Sequence, residues 1–155
     1  MAERFELRDV SEKDLPTLYE QQRDPEACAM AAFPPRDRDA FMKHWQEILG
    51  DRKVRRKAIL VDGKLAGYFC CFVRGGKRQV GYWIGKEFWG RGIASRGLGE
   101  FLHHVRERPL YAFVAKHNVA SLRVAEKCGF EVHGESLAPC EKGQPVVEEF
   151  VLRLR

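Results

Sequence analysis

The order of hydrophobic periods along the chain specifies an α/β fold around a mixed, mostly antiparallel sheet of about seven strands with about four helices. Segments that alternate apolar and polar residues are interleaved with segments of helical period, and three strands follow one another in the middle across short turns. No repeat, low-complexity tract or Pro/Gly/Ser-rich linker divides the 155 residues. A single domain over 1–155 is therefore expected, long enough to bury roughly two-thirds of its extended-chain surface.

FELRDV reads as a first strand, and Ser11 caps a helix that runs to about Arg23. RDPEACAMAAFPPRD breaks helicity around Pro34 and Pro35. A second helix starts near Asp37, with Phe41, Trp45, Ile48 and Leu49 at core spacing. KAILV, LAGYFCCFV and QVGYWIG then form an antiparallel meander, turned at Asp62-Gly63 and at Arg74-Gly75-Gly76-Lys77. Ala94, Leu98, Phe101, Leu102 and Val105 share one face of a helix reaching about Glu107. Gly97 and Gly99 each cost that helix ~1 kcal/mol relative to alanine, so it must rely on close packing. PLYAFVA is a strand, NVASLRVAEKC a helix closed by Gly129, and FEVHGE and VVEEFVLRL are the last two strands.

Composition excludes several classes. MAERFELRDV is charged, and no run reaches the ~18 apolar residues of a membrane span, which leads to the expectation of a cytoplasmic protein without membrane partners. Five cysteines without a C-x-x-C pair point to reduced, buried thiols. His103, His104 and Glu107 offer two metal ligands on one helical face and no third, so no metal is expected. Residues 51–116 carry 15 basic and 5 acidic side chains, a belt suited to a polyanion such as a phosphorylated cofactor or nucleic acid.

FWGRGIAS, residues 88–95, lies where strand YWI and connection GKEF meet a helix. Unpaired N–H groups and a partial positive charge at the helix start, with glycines that let an anion near the backbone, make a phosphate cradle. It is not a nucleotide P-loop, because Arg91-Gly92 stands where lysine and a hydroxyl residue are required. Nor is it a dinucleotide fingerprint: Ser95 replaces the third glycine and an antiparallel meander precedes it.

The residues resemble the GNAT superfamily of N-acetyltransferases. Its motif [QR]-x-x-G-x-[GA] aligns with Trp89-Gly90-Arg91-Gly92-Ile93-Ala94, with Trp89 in place of glutamine or arginine. That tryptophan, the preceding GYWIG, and NVASLRVAEKCGF over 118–130 are similar to the RimJ/RimL branch, whose members acetylate protein N-termini, small amines or antibiotics. The resemblance implies acetyl-CoA as cosubstrate, with its pyrophosphate on the N–H groups of Arg91, Gly92, Ile93, Ala94 and Ser95 beside Gly90. It also implies pantetheine between two splayed parallel strands, paired with the backbones of Tyr82 and Ile84. Asn118 is a good helix N-cap and, in the family, a pantetheine contact.

Acetylation of an amine needs a neutral nucleophile, a polarised thioester carbonyl and a proton for the departing thiolate. A backbone N–H near Tyr82 suits the carbonyl. The tyrosine that many relatives place seven residues after the asparagine is here Ala125. Ser121, one turn earlier on the same face, either hydrogen-bonds the thiolate or serves the helix start. For the base, His117, Glu148, Glu149 and a water chain stay open. The loops DPEACAMAAFPPRDRD and APCEKGQPV are expected to rim the entrance for an amine acceptor, a small molecule or a protein N-terminus. The chain is expected to be a monomer or homodimer. A non-catalytic acyl-CoA sensor and a basic nucleic-acid-binding module are the other readings.

Overall fold

The computed structural model describes residues 3–138 and 146–155. β1 (Phe5–Asp9) passes through a 3-10 turn (Glu12–Asp14) into α1 (Leu15–Gln22). α2 (Pro25–Ala31) and α3 (Arg38–Gly50) follow. α2 was not foreseen, and the described helices number five rather than four. Seven residues are too few to show a helical period, yet the local signals are present. Asp24 accepts from the N–H groups of Glu26 and Ala27 at 2.9 and 3.0 Å, and Pro25 holds the first position. The helix ends at Ala32, whose φ of 53° is left-handed, just before Pro34 and Pro35.

β2 (Arg55–Val61), β3 (Lys64–Arg74) and β4 (Lys77–Ile84) form the expected meander. Its turns have positive φ at both central residues, 50° and 81° at Asp62-Gly63 and 59° and 74° at Gly75-Gly76, the conformation whose twist matches the flanking strands. α4 (Ile93–His103) stops short of Glu107. The N–H groups of His104 and Val105 turn back to the carbonyls of Phe101 and Leu102, three residues behind, and this tightened last turn satisfies the helix end. β5 (Leu110–Ala115), α5 (Val119–Lys127), β6 (Glu131–Ala138) and β7 (Val147–Leu154) complete the chain, with Gly129 at φ 96° closing α5.

The sheet order is β1-β2-β3-β4-β5-β7-β6. Every pairing is antiparallel except β4 with β5, which is parallel and touches in register only at Gln79 and Tyr111. Beyond that pair the two strands diverge, so the splay stands where the family resemblance implies it.

Alternation along the strands divides the apolar residues between two faces. Phe69 joins Ile84, Leu98 and Phe101 under α4 and α5, while its neighbour Tyr68 packs with Trp45 and Ala58 under α1 and α3. Phe69 is fully buried and lies parallel to Phe101 at 5.9 Å; truncating such a core aromatic to alanine costs about 3–5 kcal/mol. Trp83, next in line to Tyr82, packs against Ala27 and Cys28 of α2. Cys28 and Cys71 are buried free thiols and Cys70 and Cys128 half-buried ones, while Cys140 lies outside the described residues.

Candidate active site

The divergence of β4 from β5 opens a cavity of about 390 Å³, bounded by both strands, the start of α4, the first turns of α5 and the inner side of α2. Its walls include residues from both sides of the sheet: Ala94 and Ser121 on one, Met30 and Trp83 on the other. No lysine, arginine, histidine, aspartate or glutamate lines it among the described residues.

At the α4 end, Gly90 and Gly92 have φ of 79° and 73°, and a Cβ at either would meet no atom within 4 Å, so the turn faces open space. The first helical return bond is from Arg96 N–H to the Gly92 carbonyl at 3.1 Å. The N–H groups of Ile93, Ala94 and Ser95 thus precede the helical ladder, and all three residues line the cavity. This is the geometry of an anion cradle made of backbone.

Of the ten residues expected from sequence, nine line the cavity and only Arg91 does not. Its guanidinium bonds Glu3 at 3.1 Å and lies 5.6 Å from the Phe88 ring centre. Other cations of the basic belt are likewise engaged: Lys57 with Asp9, Arg55 and Arg78 with Glu107, Lys86 with Glu26, and Lys116 with Glu135. Along β4, Gly85 N–H donates toward β3, to the Ala66 carbonyl at 2.8 Å. Alternation then turns the backbone groups of Tyr82 and Ile84 toward the splay. The Ile84 carbonyl is already occupied, accepting the Trp89 indole N–H at 2.9 Å. Trp89 therefore ties the end of β4 to the glycine turn, a role its departure from the family pattern did not disclose.

Asn118 caps α5 by accepting the Ser121 N–H at 3.2 Å, which frees the Ser121 hydroxyl from capping. That hydroxyl accepts from the Tyr82 phenol at 2.9 Å. Sequence reasoning assigned Tyr82 through its backbone and gave its side chain little weight. The missed signal was a phenol in a strand face otherwise occupied by Val80 and Ile84, because a half-buried hydroxyl requires a partner. Burial pushes the Tyr82 phenol pKa up.

None of the candidate bases lines the cavity. His117 Nε2 lies 2.9 Å from the Ala29 carbonyl and docks α2. Glu148 is exposed, with a carboxylate oxygen 4.0 Å from Lys116 Nζ. Glu149 accepts from Ser136 Oγ at 2.9 Å, and burial pushes its carboxyl pKa up. Residues 139–145 of the second rim loop lie outside the described residues. Among the described residues no three His, Cys, Asp or Glu side chains group as a metal site, and no helix is long and apolar enough to cross a membrane.

The family profile described as "Acetyltransferase (GNAT) domain" matches residues 4–131. The chain belongs to the GNAT acetyltransferase family. Solved structures of this GNAT fold superimpose over nearly the full length. The spermidine N-acetyltransferase of Vibrio cholerae, in complex with CoA and spermine, has a TM-score of 0.82 at 17% identity, covering 97% of this chain and 94% of that one. RimL, a ribosomal L7/L12 alpha-N-protein acetyltransferase in complex with CoA, has a TM-score of 0.77 at 21% identity, covering 95% and 92%. The aminoglycoside acetyltransferase AAC(6')-Ib with CoA has 0.78 at 18%, covering 97% and 94%. No curated protein matches the chain in sequence.

Proposed function

We propose that this GNAT domain transfers the acetyl group of acetyl-CoA to a primary amine by direct attack on the thioester. The observation that carries the reading is the splayed parallel pair ending at a glycine turn whose free N–H groups open into the same cavity as Ser121. In this reading Ile93, Ala94 and Ser95 hold the pyrophosphate with Gly90 and Gly92 leaving it room, the Arg91 side chain serving the turn from outside. Tyr82 and Ile84 face pantetheine through their backbones, Asn118 borders its path, and the Ser121 hydroxyl meets the departing thiolate. The neutral walls raise the strength of each such hydrogen bond. With His117, Glu148 and Glu149 off the cavity, solvent takes the proton from the amine, which suits an α-amino group with pKa ~8.

The finer assignment is to the RimJ/RimL-like branch, supported by GYWIG, by Trp89 and by the 118–130 motif. The acceptor then reaches the thioester from the α2 side, past Ala27, Met30, Ala31 and Trp83, an apolar wall suited to the side chain of a protein N-terminal residue or to an apolar amine. Ala125 suggests a binding-only acyl-CoA sensor; the bonded hydroxyls of Tyr82 and Ser121 favour transfer.

The test is a panel of N-terminal peptides, polyamines and aminoglycosides, followed by release of free CoA thiol. Peptides or apolar amines should react best. Tight acetyl-CoA binding with no thiol release from any acceptor would establish the sensor instead. Ser121→Ala should lower kcat by roughly 10- to 1000-fold, as loss of a group that assists the leaving atom does, while the acetyl-CoA Kd changes little.

A further inference from the structure

We propose that Tyr82 is a positioning residue for acetyl transfer, holding Ser121 so that its hydroxyl proton faces the departing sulfur. The inference rests on the acetyl-transfer reading above. A serine hydroxyl is a rotor with one proton and two lone pairs, and its neighbours decide where the proton points. Here the Tyr82 phenol donates to Ser121 Oγ at 2.9 Å, which fills one lone pair and turns the serine proton away from the phenol. Both residues line the cavity, and on this proposal the serine proton points into it.

The phenol is itself held in place. The Tyr82 ring packs 5.6 Å from the fully buried ring of Phe69, and its strand is pinned by the β3 ladder on one side. Ala125, one turn after Ser121 on the same helix face, is buried and small. The tyrosine that the family resemblance implies at that place on α5 is absent, and on this proposal its role falls to the Ser121 hydroxyl, backed by Tyr82 from β4. A donated bond also polarises the acceptor's own O–H, so the pair is a stronger donor than serine alone.

Tyr82 keeps its proton throughout. Burial holds the phenol neutral beyond the ordinary range, and a buried phenolate would gain nothing from the neutral walls. In the step itself the amine nitrogen bonds the carbonyl carbon, and the carbon–sulfur bond breaks with its electron pair left on sulfur. Ser121 O–H hydrogen-bonds that sulfur. The amine's proton passes to solvent and the thiolate takes one from solvent, so both hydroxyls end the cycle as they began.

Tyr82→Phe removes one oxygen and keeps the ring among the same neighbours; a melting curve verifies the fold. With an acceptor on which the wild type is active, kcat should fall roughly 3- to 30-fold, the loss of one hydrogen bond that supports a charged one, with the acetyl-CoA Kd held within about twofold. In a Ser121→Ala background the same change should have no further effect on kcat, because Tyr82 acts only through Ser121. The pH–rate profile of Tyr82→Phe should keep the wild-type shape at lower height. Full kcat in Tyr82→Phe, losses that multiply in the double variant, or an alkaline limb that vanishes with the phenol would each overturn the proposal. A wild type that binds acetyl-CoA but acetylates nothing removes the acetyl-transfer reading and this one together; an active wild type isolates the question to Tyr82.

Discussion

Gly92 shows what a single residue contributes here. Its φ of 73° suits glycine, and the space over it is open, so the obstacle to a side chain is the backbone conformation and whatever anion the turn receives. Gly92→Val is expected to weaken acetyl-CoA binding by at least 10-fold, since a bulky β-branched group strains the turn and crowds the N–H groups of Ile93 to Ser95. Calorimetry on a folded variant checks this, and wild-type affinity would remove the cradle. Ser121 illustrates the converse. Sequence left it divided between capping and catalysis; Asn118 makes the cap, so the serine hydroxyl is free of that task and bonds the phenol. The predicted loss of kcat in Ser121→Ala should therefore come with a melting change of no more than about 1 kcal/mol, the value of one hydrogen bond.

At the level of elements, α4 carries two glycines that the sequence could not tell apart. A Cβ at Gly97 would lie 2.5 Å from Phe69 Cζ and 2.7 Å from Ile59 Cδ1, whereas at Gly99 it would meet nothing within 4 Å. Opposite effects follow. Gly97→Ala is expected to destabilise by about 1–3 kcal/mol through overpacking, and Gly99→Ala to stabilise by about 0.5–1 kcal/mol through helix propensity. Urea melts of the two variants test the pair. Because Phe69 also packs on the Tyr82 ring, Gly97→Ala should lower kcat as well as stability, linking helix packing to the site. The short α2 belongs to this scale too. His117 contacts it from outside at the Ala29 carbonyl, and that histidine does not line the cavity.

For the molecule as a whole, the first strand is joined to the turn before α1 by one ion pair with a pH signature. Arg8 donates two bonds to the buried Asp14 carboxylate, at 2.7 and 2.8 Å, and Ser11 N–H a third at 2.9 Å. The Arg8 guanidinium foremost holds the Asp14 pKa below its ordinary 3.8. The unfolded chain consequently takes up this proton at a higher pH than the folded one, and stability falls as the solution is acidified. The contribution is complete above about pH 5 and is lost as pH drops through the depressed folded value. Asp14→Asn should be less stable than wild type by about 1–3 kcal/mol at pH 6, with the two urea-melting curves converging toward pH 2. Curves that run parallel with pH would rule out the linkage.

The sequence by itself determined the periodic elements, the two hairpin turns and the glycine turn before α4, because each is written in residues adjacent along the chain. Alternation placed the strands, and FWGRGIAS announced a helix start with bare backbone. Nine of its ten expected site residues came together, since a backbone site needs only the right turn at the right place. What only the tertiary structure decided were matters of partners from afar. The +10 belt looked like a polyanion surface, yet some of its cations pair with acids far along the chain: Lys57 with Asp9, Lys86 with Glu26 and Arg91 with Glu3, the last 88 positions away. α2 was too short to show a period, and His117 acquired its role only when α2 lay against it. The Tyr82 phenol and the Ser121 hydroxyl are 39 residues apart, on a strand and on a helix, and no local pattern pairs them. Their meeting depends on how far β4 and β5 diverge and on which face of α5 looks into the gap, and both are set by packing against Phe69 and its neighbours in three dimensions.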